Sequence, residues 1–123
     1  MNIIFLFLSM FFCHIVDDFY LQGILASMKQ KAWWKGNAPQ KLYKFDYIIA
    51  LIIHALSWSF MIMLPASVYY HFQITTKFLI VYIINVVIHA TVDDLKANKH
   101  LINLVIDQSI HFGQVAITGI ILF

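Results

Sequence analysis

Residues 3–23 read IIFLFLSMFFCHIVDDFYLQG, an apolar run free of charge through Cys13 that then meets His14, Asp17 and Asp18 before any turn signal. A run of this length and hydropathy is a membrane-span candidate. The imidazole and two carboxylates therefore need an explanation. An Asp at the centre of a span costs roughly 2.5–3.5 kcal/mol on insertion scales, and each Leu, Ile or Phe returns only about 0.3–0.6. The apolar part of the run just offsets its polar part. Ionisable groups placed at such cost mark functional sites by default.

The rest of the chain shares this character. Its 123 residues fit one domain, with 62% hydrophobic and 11% charged side chains. Soluble domains carry about 25% charge, so this chain lacks the polar coat of a globule and reads as an integral membrane protein. Four apolar segments stand out, at about 3–28, 47–70, 77–95 and 101–123. Only helices and closed barrels satisfy their backbone in lipid, and the chain is short for a barrel. The expected fold is all-α, a single bundle of four transmembrane helices. Pro65 should kink the second helix or end it early. The N-terminus, with no basic region before its apolar run, reads as a retained span rather than a cleaved signal. Cys13 is the only cysteine, so no disulfide can form within the chain.

The connections are unequal. The first is long and holds Lys29, Lys31, Lys35, Lys41 and Lys44; the short third adds Lys96 and Lys99; the second has Lys77. Positive-inside reasoning puts the basic connections in the cytoplasm and both termini outside, in a bacterial inner membrane. Trp33 and Trp34 among these lysines suit either a segment lying on anionic headgroups or a solvated loop anchored by two indoles. No nucleic-acid partner is expected.

One local pattern recurs. Asp18 follows His14 by four residues, Asp93 follows His89 by four, and Asp107 precedes His111 by four. Residues four apart share a helix face. Six His and six Asp placed at random would give about 0.6 such pairs, against the three found. With His54, and at 1.5 Å per residue, all seven fall between about 5 and 22 Å from the basic helix ends. Every helix contributes at least one member.

Three readings compete. Imidazole and carboxylate together suit zinc, iron or manganese, and seven ligands (His14, Asp18, His54, His89, Asp93, Asp107 and His111) would serve two divalent ions with room for a water of lowered pKa. Asp17, on the face of His14, could be an eighth ligand or orient a ligand from behind. Alternatively, Asp and His could relay protons or metal ions across the membrane, or simply hold helices together as buried polar pairs. Gln22 and Gln108 lie beside the motif, either as hydrogen-bond partners of the Asp or His groups or as links between helices. Asp94 should neutralise Lys96 or Lys99, His71 and His100 should be solvated, and Phe5, Phe7, Phe11 and Phe12 should face lipid.

The ordered motifs resemble the domain-of-unknown-function family 3307, small bacterial and phage membrane proteins. The resemblance rests on His14, Asp18, Phe19, Leu21 and Gln22, then His54 and Ala55, then His89, Asp93, Leu95 and Lys96, then Asp107, Gln108 and His111. The chain departs from that pattern at Asp17, where a small residue is usual, and at Trp58, where the second helix carries another histidine. The family's pattern is in turn similar to membrane-bound metal-dependent hydrolases. The resemblance thus implies metal-assisted hydrolysis of a lipid or lipid-linked phosphate or acyl bond. The alternative is a non-enzymatic phage or bacterial membrane protein that acts through partners.

Overall fold

The computed structural model describes residues 2–123. Among these residues there are six α-helices and no strands: α1 (Ile3–Val16), α2 (Leu25–Met28), α3 (Lys31–Asn37), α4 (Asp46–Tyr69), α5 (Thr76–Ala97) and α6 (Leu104–Leu122). A π-helical turn, Asp17–Leu21, extends α1. Four helical stretches are long and apolar enough to cross a membrane: Ile3–Leu21, Lys41–Tyr69, Thr76–Ala97 and Leu104–Leu122. Exposed aliphatic and aromatic side chains cover their outer faces, among them Phe5, Phe12, Ile83, Val87 and Ile120. Apolar exposure on that scale is foreign to a soluble monomer.

Local chemistry sets the helix ends. Asn2, Thr75 and Asn103 each accept a backbone N–H of the first turn of α1, α5 and α6, respectively; such caps satisfy donors that have no partner within the helix. Asn103 starts α6 later than the apolar run at 101 suggests. The first segment also differs from its expected span of 3–28. It breaks after Leu21, where Gly23 takes φ +52°, a conformation open to glycine at little cost. Beyond the break the chain forms a surface segment of two short helices and a 3-10 turn (Lys41–Tyr43). Pro65 lies inside α4 and does not end it.

The long helices form a ring in which α1 packs on α4 and α6, and α5 packs on the same two. Connections of a few residues join α4 to α5 and α5 to α6, as in an antiparallel bundle. One half of the interior is apolar and centred on Met10, Ile62, Met63, Ala66 and Val115. Phe7 closes the α1–α6 crossing over Gly119, where an added Cβ would collide with the ring. Of the four phenylalanines expected to face lipid, Phe5 and Phe12 are exposed, while Phe11 packs on the core and on Phe112. The other half of the interior is polar.

Candidate metal centre

The polar half gathers side chains from all four long helices. His14, Asp17, Asp18, His54, His89, Asp93, Asp107 and His111 are all buried, none more than 7% exposed. Helical spacing brings this about on each element. In α1 and its π turn, His14, Asp17 and Asp18 share one face; in α5 and α6 the four-residue pairs do the same.

Three imidazole Nε2 atoms point at carboxylates. His54 Nε2 lies 3.2 Å from Asp18 Oδ1 and 3.5 Å from Asp93 Oδ2. His89 Nε2 lies 3.8 Å from each of the same two oxygens. His111 Nε2 lies 3.3 Å from Asp93 Oδ1 and 3.4 Å from Asp107 Oδ1. A first-row cation held at about 2.0–2.2 Å by tetrahedral ligands separates its donor atoms by about 3.4 Å. The distances around His54 and His111 fit that span. Two groups have donor atoms all within 4.8 Å of one another: Asp18, His54 and His89, and His89, Asp93 and His111. His89 is common to both.

The surrounding hydrogen bonds decide which nitrogens are free. His111 Nδ1 lies 3.0 Å from Gln114 Oε1, while Gln114 Nε2 donates to Asn85 Oδ1 at 3.2 Å and to the Asn85 carbonyl at 3.4 Å. The amide is thereby oriented and Nδ1 donates to it, while Nε2 lies within hydrogen-bonding distance of Asp93 Oδ1, a place that either a proton or a cation can fill. For His54, Asp17 Oδ2 stands 3.7 Å from Nδ1, and Ser57 Oγ holds the other Asp17 oxygen at 2.6 Å. A carboxylate behind one ring nitrogen favours use of the other as a ligand.

His14 is engaged differently. Trp58 Nε1 donates to its Nδ1 at 2.8 Å, and its Nε2 lies 3.1 Å from Gln108 Oε1. Gln108 Nε2 donates to Asp18 Oδ2 at 3.0 Å and to Asp107 Oδ2 at 3.1 Å, so its Oε1 is left to accept from His14. Both His14 nitrogens are thus occupied, and the ring braces α1 against α4 and α6 at the margin of the cluster.

His89 is the least satisfied member. It is fully buried, and neither ring nitrogen has a hydrogen-bond partner. Trp58 stacks on it at 4.1 Å with planes 18° apart, and the His111 ring is 4.1 Å away on centroids. Buried polar atoms normally find partners, and an unpaired one costs about 1–3 kcal/mol.

Two lysines enter the site. Lys29, grouped with the basic surface segment by sequence, is only 7% exposed, and its Nζ lies 2.6 Å from Asp93 Oδ2. Lys96 reaches Asp107 Oδ2 at 2.7 Å. Asp94 accordingly pairs with Lys99, at 3.6 Å. Gln22 serves the backbone rather than the cluster. In the π turn the Gln22 N–H bonds Asp17 O, one residue further back than in an α-helix, and the Gln22 side chain donates to the Asp18 carbonyl thus freed. Gln114 and the inward turn of Lys29 escape a reading of the sequence because each is ordinary in type and lacks the His/Asp spacing; Trp58 and Lys96 stand at motif positions, but the spacing does not give them these contacts. His71 and His100 are exposed, as expected, with φ of 51° and 54°.

Compared with protein-family models, with curated proteins and with solved structures, the chain matches none.

Proposed function

We propose that the chain is an integral membrane protein that holds a divalent cation among Asp18, His54, His89, Asp93 and His111, with Asp107 beside His111. We propose further that it uses the ion to hydrolyse a phosphate or acyl bond of a lipid or lipid-linked substrate. The observation that carries the metal reading is His89, a buried imidazole with two unpartnered nitrogens, its Nε2 equidistant from two carboxylates. A cation between them would satisfy the nitrogen and offset the charge at once.

Charge favours one ion over the two expected from the ligand count. Asp17, Asp18, Asp93 and Asp107 bring four negative charges, and Lys29 and Lys96 return two positive ones. With neutral imidazoles, one divalent ion balances the remainder. One nitrogen also has one lone pair, so His89 Nε2 serves a single ion at a time. Nitrogen and carboxylate oxygen without thiolate suit zinc, iron or manganese.

When bound, such an ion supplies Lewis acidity and makes water a better nucleophile. The chain's own groups do the positioning. Asp17 stands behind His54 at 3.7 Å, Gln114 accepts from His111 Nδ1, and Trp58 stacks on His89. Lys96 and Gln108 are half-exposed and form the edge by which a substrate would approach. The motif order that resembles family 3307, and through it membrane-bound hydrolases, supports the choice of reaction as an analogy.

A second reading has its own support. The two lysine pairs already neutralise half of the carboxylates, so the cluster can hold helices together without metal. In that case the chain acts through partners rather than by catalysis. Elemental analysis of detergent-purified protein separates the two. Stoichiometric zinc, iron or manganese in wild type, lost in both Asp18→Asn and His89→Ala while the folded helix content persists, is the expected result. Well-folded wild type without metal, even after incubation with each ion, would leave only the structural role. Release of phosphate or fatty acid from mixed lipids by the metal-loaded protein then tests the chemistry.

A further inference from the structure

The surface segment beyond the break at Gly23 builds a cleft of about 410 Å³ between α3 and the start of α4. Lys31, Lys35, Lys41 and Lys44 line it. All four are exposed, and the Lys–Asp pairs among the described residues involve Lys29, Lys96 and Lys99 instead. None of the four cleft lysines is thus paired with a carboxylate, although Asp46 stands next to lining residues Phe45 and Tyr47. Its floor is aromatic and rigid: Trp34 stacks on Tyr43, with planes 20° apart, and its indole N–H is tied to the Met28 carbonyl at 2.6 Å. Lys31 Nζ is held 4.8 Å above the Tyr47 ring.

Position supplies the rest. Lys41 and Lys44 stand in the first residues of the membrane-length stretch Lys41–Tyr69, so the cleft lies where α4 leaves the hydrocarbon. A ligand there would meet both cations and flat aromatic surface, the combination that suits an amphipathic lipid. Scattered surface lysines attract anionic membranes diffusely. Four lysines around one aromatic-floored cavity can instead hold a single headgroup.

We propose that this cleft binds the phosphate-bearing headgroup of one anionic membrane phospholipid, with its glycerol backbone against Trp34 and Tyr43. The inference rests on the membrane-spanning reading and not on the metal centre, so each can fail alone.

The test is fluorescence titration of the full chain in detergent with phosphatidylglycerol carrying brominated acyl chains, against brominated phosphatidylcholine. Trp34 should be quenched saturably by the anionic lipid, at concentrations about tenfold or more below those needed for the neutral one. The pair variants Lys31→Gln/Lys35→Gln and Lys41→Gln/Lys44→Gln should each lose most of that preference while keeping the melting temperature and metal content of wild type. Lys77→Gln, at the other end of the bundle, should behave as wild type. Equal quenching by the two lipids, or an unchanged preference in both pair variants, overturns the proposal. So does displacement of the lipid by inorganic phosphate or glycerophosphate, which would assign the cleft to a soluble anion.

Discussion

Lys29 holds a pivotal place among the side chains of the cluster. Its ammonium already sits on Asp93 Oδ2, the oxygen that His54 and His89 also face. Removing one member of a buried ion pair strands the other, at a cost of about 3–5 kcal/mol. Lys29→Met should therefore lower the unfolding temperature sharply in chelator, and added zinc or manganese should restore much of it by taking over the charge of Asp93. Thermal unfolding in detergent, with and without metal, reads this directly, and a loss that no cation repairs would favour the purely structural role. The sequence holds no sign of this pairing. The His/Asp pairs are legible there, because a four-residue spacing is a local property of a helix. Whether Lys29 points to water or to Asp93, 64 positions later, depends on how two helices are set against each other. The stacking of Trp58 on His89 is hidden for the same reason, although the motif pattern marks the position.

At the scale of elements, the helices themselves are readable and their ends less so. Hydropathy locates four long runs, but the run at 3–28 conceals a π turn, a left-handed glycine and the start of a separate surface segment. Apolar residues continue through all of these, and periodicity does not register a single glycine. π turns inside helices recur at functional sites, and this one ends α1 beside the cluster, its freed carbonyl taken up by Gln22. Gly119 matters to how α6 meets α1. Its missing side chain makes room for Phe7, a close approach by a lone glycine without any partner at four-residue spacing. Gly119→Ala should destabilise the bundle by about 1–3 kcal/mol through overpacking, and Phe7→Leu in the same chain should recover most of the loss. Unfolding midpoints of the single and double variants give the comparison. If Phe7→Leu restores nothing, the crossing is not where the strain lies.

The whole molecule is polarised from end to end. Its interior divides into an apolar half and a charged half, and the basic segments lie at the charged end. If the basic connections lie in the cytoplasm, as positive-inside reasoning expects, a cysteine at Gln40 should resist a membrane-impermeant thiol reagent in intact cells and react once they are opened. A cysteine at Gln73 should react from outside; both are made in a Cys13→Ser background. The reverse labelling pattern would invert the topology and move the polar cluster to the outer leaflet. Sequence alone supports this orientation through the uneven lysines, and it would do so however the helices were packed. The convergence of all four helices on one cluster is another matter. Shared depth leads one to expect it, yet only side-chain geometry distinguishes the engaged His14 from the unpartnered His89.

Asn98 links the charged interior to the outer cleft. At the C-terminus of α5 its side-chain N–H groups reach the Lys29 carbonyl at 3.0 Å and the Asp94 carboxylate at 2.8 Å, while its oxygen accepts the Lys31 N–H at 2.7 Å. One amide thus splices the peptide between a lysine that reaches inward and a lysine that walls the cleft. The wall of the cleft and the lysine on Asp93 therefore share one anchor, and loss of that single amide would loosen both attachments at once.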